Sequence, residues 1–106
     1  MDVRHCCGYI HTQTRSGPPI VDAFRKISPE VHQEQGCEIY ACNVESSGER
    51  VVMVESWASY DDLEAHANGE PLQKLRRLTD PHVQFPYDVI ILDPLVLGDP
   101  LKGSLL

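Results

Sequence analysis

The apolar positions along the chain change rhythm several times, and each change marks an element. Val3 to Ile10 alternates loosely, Val3/His5/Cys7/Tyr9 against Arg4/Cys6/Gly8/Ile10, as a strand does. Ser16-Gly-Pro-Pro19 stops that pattern and a helical one follows. Val21, Phe24, Ile27 and Val31 recur at spacings of three, three and four, which is one stripe along a helix face. Gly36 closes this helix as a C′ residue. Pro29 interrupts the stripe, because Ser28-Pro29-Glu30 reads as a fresh N-cap with Pro at the first helical position. The segment is either one kinked helix, the preferred reading, or two short ones meeting at Ser28. Cys37 to Glu45 then reads as a strand, with Ile39/Ala41 on one face and Tyr40/Cys42/Val44 on the other. Ser46-Ser-Gly-Glu49 is a turn of hairpin length. In the strand that follows, Arg50 to Trp57, the row Val51/Met53/Glu55/Trp57 alternates against Val52/Val54/Ser56. Val52 and Val54 are expected to face the helices.

Ser59-Tyr-Asp-Asp62 resembles a capping box and opens a helix carrying Leu63, His66 and Ala67 on one face. Asn68-Gly69 interrupts it, and Pro71 starts a further turn or two with Leu72, Leu75 and Leu78. Lys74, Arg76 and Arg77 near its end suit the helix dipole, and Thr79-Asp-Pro81 stops it. A last strand runs from about Tyr87 to Leu92, and Asp93-Pro94 begins a tail. The order β-α-β-β-α-β predicts an α+β, ferredoxin-like domain, an antiparallel sheet with both helices on one face. Val51, Met53, Trp57, Ile39 and Tyr9 are assigned to the other face, where they need cover that a second copy of the chain would supply. A homodimer is therefore expected, with the tail packed on the partner or the sheet edge. One domain is expected over 1–106, its core about 3–95 and its tail 96–106.

Charge then narrows the partners. Nine Lys and Arg against sixteen Asp and Glu leave a net charge of −7, which repels nucleic acid and anionic membranes. No apolar run reaches the ~20 residues of a membrane span. The amino end lacks an apolar leader core, so a cytoplasmic location is expected. Cys6, Cys7, Cys37 and Cys42 form no C-x-x-C pair and match no zinc template; reduced thiols are the expectation. His5 and His11 point to opposite faces, His32 sits on a helix and His82 in a loop, so no metal site is expected. Gly8, Gly17 and Gly36 are too scattered for a nucleotide-binding fingerprint, and there is no G-x-S-x-G nucleophile turn.

Two segments carry a resemblance. Gly36-Cys-Glu-Ile-Tyr40, followed by Glu55-Ser-Trp57-Ala-Ser-Tyr-Asp-Asp-Leu63-Glu-Ala-His66, is similar to the antibiotic biosynthesis monooxygenase family. The shared pattern is G-C-x-x-Y on a hairpin strand, then E-x-W-x-S and a helix bearing a His, and it extends over roughly residues 3–95. The resemblance implies a dimeric α/β-barrel and activities of the quinol or anthrone monooxygenase kind. A haem-degrading branch of the superfamily uses Asn, Trp and His; here its Trp position holds His66, its His position lies near Arg76, and Val3 to Ile10 contains no Asn. That branch is disfavoured.

The resulting expectation is a cofactor-independent monooxygenase that oxidises a quinol or anthrone-type polyphenol with dioxygen. His66 is the proposed proton acceptor, since an imidazole exchanges a proton near neutral pH. Glu55 is its orienter or a second polar contact, and Trp57 is a wall for a flat ring. Tyr40 and Tyr60 are the further substrate-binding candidates. Each has a structural alternative: a buried His bonded to a carbonyl or carboxylate, a core tryptophan, a salt-bridged glutamate, surface tyrosines. Glu55 and Trp57 share a strand face, so His66 meets them only if its helix folds back over the strand end. A cavity for one or two fused rings is then expected between helices and sheet. A non-catalytic dimeric ligand-binding or stress-associated protein, or an isomerase-like relative, stands as the alternative.

Overall fold

A computed structural model describes residues 6–13, 17–48, 50–83 and 88–105, with Cys6–Gln13, Gly17 and Asp88 described by their backbone alone. The elements are β1 (Cys6–Gln13), α1 (Gly17–His32), β2 (Cys37–Val44), β3 (Arg50–Trp57), α2 (Tyr60–Ala67), α3 (Glu70–Thr79), a 3₁₀ turn (Asp80–His82) and β4 (Asp88–Leu92). The sheet is antiparallel in the order β2-β3-β1-β4, the ferredoxin-like arrangement.

Several boundaries differ from the sequence reading. β1 extends past Ile10 to Gln13, because Arg50 and Val51 of β3 offer pairing partners to Gln13 and Thr12; Val3–His5 lie outside the described residues. Likewise Tyr87 lies outside them, and β4 is described from Asp88. α1 is one helix that runs through Pro29 and does not divide at Ser28. The missing proline N–H falls in the final turn, where it deprives only the Arg25 carbonyl. The helix stops at His32, short of Gly36. Beyond it, Gln33 and Glu34 donate to the carbonyls of Glu30 and Val31, and Gly36 turns the chain with φ +79°.

The largest correction concerns the faces of β3. Val51, Met53, Glu55 and Trp57 are buried under the helices, while Val52 is half-buried and Val54 exposed on the reverse side. Pairing places Tyr40, Cys42 and Val44 in the same rows as Glu55, Met53 and Val51. β3 is apolar on both sides, so alternation alone could not orient it, and the charge of Glu55 made the buried row look like the outer one. The helix-facing core comprises Ile20, Phe24, Ile27 and Val31 of α1, Leu72 and Leu75 of α3, and Met53 and Trp57. Leu78 is exposed. The open side carries Ile39, Val54 and Ile90 instead of Val51, Met53 and Trp57. Tyr9 pairs between Val54 and Ile90, so its backbone belongs to that open row.

Two local features set the site. The β2–β3 register shifts by one residue between Cys37 and Ile39: Cys37 pairs with Trp57, Ile39 with Ser56 and Tyr40 with Glu55. Without that bulge Tyr40 would lie on the open side. The tail after Leu92 makes its own turn, with Leu97 N–H donating to Gly103 O at 3.1 Å. Leu95, Val96, Leu97 and Leu101 remain exposed in the single chain, so the expected packing of the tail on the sheet edge is absent within one copy. Among the described residues no helix is long and apolar enough to cross a membrane.

Candidate active site

The end of β3 and the start of α2 are held by a short run of backbone contacts. Ala58 N–H donates to Gly36 O at 2.8 Å, tying the α1–β2 turn to the strand end. Ser59 is then extended and caps α2, its Oγ accepting from Asp62 N–H at 3.1 Å, the expected half of a capping box. A Cβ on Gly36 would lie 2.1 Å from Asp62 Oδ2, so only glycine lets the two segments approach this closely. This arrangement folds α2 back over the sheet. His66, buried near the last turn of α2, lands over the end of β3.

His66, Trp57, Tyr40 and two glutamates meet there. The imidazole stacks on Trp57 with centroids 4.6 Å apart and planes at 27°, and Tyr40 meets its edge at 5.4 Å. Its Nδ1 lies 2.7 Å from Oε1 of Glu34, in the turn after α1. Its Nε2 lies 3.8 Å from Oε1 of Glu55, beyond hydrogen-bond reach. That same Oε1 accepts from Trp57 Nε1–H at 3.1 Å. Glu55 Oε2 is buried with no hydrogen-bond partner among the described residues. Burial, joined by the nearby Glu34 charge, pushes the Glu55 carboxyl above the usual carboxylate range; the Trp57 hydrogen bond and His66, when protonated, oppose this only in part.

Glu55 and His66 form the polar wall of a cleft of about 100 Å³, whose apolar walls are Leu63 and Ala67 of α2, Leu72 of α3, and Val89 and Ile91 of β4. Arg76 of α3 completes it. Gly8 pairs between Glu55 and Ile91, so the row that crosses the sheet beneath the cleft has no side chain at its centre. The enclosed space is smaller than the roughly 150 Å³ of a cavity that accepts benzene. Two fused rings would have to project from the mouth, a correction to the larger cavity expected from sequence.

The residues singled out from sequence separate into two groups. His66, Glu55, Trp57 and Tyr40 converge, although Trp57 is wholly buried behind His66 and neither it nor the buried Tyr40 lines the cleft. Tyr60 is exposed at the start of α2, and its hydroxyl donates to Asp93. Glu34 and Arg76 were not anticipated. Glu34 stands in a polar run, and only its place two residues before Gly36-Cys37 could have signalled it; Arg76 was read as a partner of the helix dipole. Cys37 and Cys42 are free thiols, and burial raises both pKa values, so neither is poised as a thiolate. Among the described residues no three His, Cys, Asp or Glu side chains gather into a metal site.

No family model matches the chain. The probable quinol monooxygenase YgiN of Escherichia coli strain K12 is 38% identical over 56 residues, which is 44% of this chain and 54% of that protein. The match therefore spans about half the length of that curated relative. Two solved structures share the fold. An antibiotic biosynthesis monooxygenase is 18% identical with a TM-score of 0.77, over 85% of this chain and 98% of that one. A candidate antibiotic biosynthesis monooxygenase of Caulobacter crescentus CB15 is 15% identical with a TM-score of 0.81, over 88% of this chain and 92% of that one. The chain thus has the ferredoxin-like α+β fold of antibiotic biosynthesis monooxygenases.

Proposed function

We propose that this chain is a member of the antibiotic biosynthesis monooxygenase family, and that it oxidises a quinol or anthrone-type substrate with dioxygen and without a resident cofactor. The observation that carries the reading is a single imidazole set between two carboxylates at the polar wall of a cleft whose other walls are aliphatic apart from Arg76. An electron-rich hydroxyarene needs little more than this. His66 Nε2 takes a proton from the substrate, and the resulting anion passes electrons to dioxygen. For an anthrone the ring CH₂ becomes C=O and the second oxygen atom leaves as water, so the substrate supplies all the electrons. Leu63, Leu72, Val89 and Ile91 hold the ring away from water, which protects the reactive intermediate. Glu55 Oε2 is the buried oxygen available to a substrate oxygen or hydroxyl. The match to a protein named as a quinol monooxygenase supports this substrate class.

The test is oxygen uptake with a hydroquinone or anthrone and no added cofactor. Because His66 packs on Trp57, His66→Gln is a cleaner variant than His66→Ala. Turnover should fall at least about tenfold, and a positioned base can account for about 10²–10⁴-fold. An unchanged rate in a folded variant would leave His66 a structural tie between α2 and the α1–β2 turn.

The assembly expected with this reading is a homodimer. Ile39, Val54 and Ile90 are exposed aliphatic side chains on the open side of the sheet, and a second copy is the partner whose matching face would cover them.

A further inference from the structure

We propose that Glu34 is the positioning residue of this site: by accepting the Nδ1 proton of His66 it fixes the tautomer in which an unprotonated Nε2 is presented on the Glu55 side. The inference deepens the monooxygenase reading and rests on it for its kinetic consequence only.

A carboxylate oxygen has lone pairs and no proton, so at 2.7 Å from Nδ1 it can only receive. A neutral imidazole carries one N–H. With that proton on Nδ1, Nε2 keeps its lone pair and can act as a base. Glu55 cannot do this job. It is 3.8 Å from Nε2, on the other side of the ring, and its near oxygen already accepts from Trp57. The two carboxylates are therefore not equivalent: Glu34 sets the ring, and Glu55 is left free on the cleft side. Once Nε2 gains a proton, the imidazolium lies between the two carboxylates.

The placement of Glu34 is built in. Its N–H donates to Val31 O at 2.9 Å and its carbonyl accepts from Cys37 N–H at 3.2 Å, so the residue is held where two successive four-residue turns, 31–34 and 34–37, meet. Its Oε2 reaches the amino end of α3, 3.0 Å from where a Cβ on Gly69 would stand. Gly69 is the N-cap of α3 and offers no side-chain hydrogen bond, so Glu34 adds a negative group beside a helix start whose own first turn carries Glu70. The turn, the missing side chain at Gly69 and the ring of His66 thus converge on one carboxylate that comes from 32 residues earlier in the chain.

The tautomer is read directly from the ring ¹⁵N chemical shifts of His66, assigned by their loss in His66→Gln. In the unmodified protein, with the imidazole neutral, Nδ1 should appear protonated and Nε2 bare; the reverse pattern overturns the proposal without any substrate. In Glu34→Ala the ring should revert to the Nε2–H form that unconstrained imidazoles favour. Turnover should fall at least about 10–100-fold, the loss seen for partners that orient a metal-ligating histidine, and toward about 10⁴-fold if the tautomer is strictly required, with KM little changed. A Glu34→Ala protein that keeps the Nδ1–H tautomer also overturns it. If the tautomer moves as expected but the unmodified protein takes up no oxygen with a hydroquinone or anthrone, positioning stands and the monooxygenase reading falls. If the tautomer moves and turnover is unchanged, His66 is not the base and the kinetic role of Glu34 falls with it.

Discussion

On the helix side of β3 the chain buries a glutamate between Trp57 and His66; on the reverse side of the same strand it leaves Val54 exposed beside Ile39 and Ile90. Water alone would choose the opposite distribution. A buried carboxyl is tolerated where indole and imidazole groups meet it, and it is costly without them. Aliphatic side chains left in water gain nothing from the sheet that carries them. The difference teaches that the two faces finish in different ways. One is closed by this chain's own helices around Glu55 and His66, and the other leaves aliphatic side chains exposed in the single chain.

The comparison breaks most visibly at tryptophan. Trp57→Ala removes a fully buried ring and should destabilise the fold by about 3–5 kcal/mol, whereas Val54→Ala should cost less than about 1 kcal/mol in a monomer. Chemical denaturation of both variants measures this, and comparable losses would erase the distinction between the faces. Next in size is the open row. Val54→Asp with Ile90→Asp should raise the dimer dissociation constant at least about a hundredfold, or ~2.8 kcal/mol, in light scattering. A monomeric unmodified protein at micromolar concentration would remove the second copy from the picture.

The smallest effect sharpens the buried side. In the unfolded chain Glu55 titrates near its ordinary value of 4.5, and folding raises it, so between the two values the folded state holds more protons than the unfolded. Its contribution is full below the unfolded value and is lost as pH rises through the folded one. Glu55→Gln removes that loss. Relative to the unmodified protein, the variant should gain about 1–2 kcal/mol between acid and neutral pH, the cost of an unpartnered buried polar group. Parallel stability curves would show that Glu55 is not strained by burial.

Much of this architecture was legible in the chain. The stripe Val21, Phe24, Ile27 and Val31, the Ser59 cap and the hairpin around Gly48 each follow from local rules, and together they impose the element order. The meeting of Glu55, Trp57 and His66 is legible only as a condition, that α2 folds back over the strand end, because the sequence reading turns the Val51 row away from the helices. What stayed hidden depends on distant parts of the chain. The side to which β3 turns its Val51 row is decided by which row the helices cover, and both rows are apolar. Glu34 reaches His66 only through the turn after α1, so no periodicity announces it. Gly8 gains meaning from the register of two other strands, Glu55 on one side and Ile91 on the other.

The bulge in β2 bears on how such proteins are recognised. Between Cys37 and Tyr40 the strand holds one residue more than its pairing with β3 uses: Cys37 opposes Trp57, and Tyr40 opposes Glu55. The spacing in G-C-x-x-Y thus measures the bulge as well as the distance to the imidazole. A chain one residue shorter, reading G-C-x-Y along a regular strand, would set the same ring against the same histidine, and a motif search with a fixed spacing would pass over it.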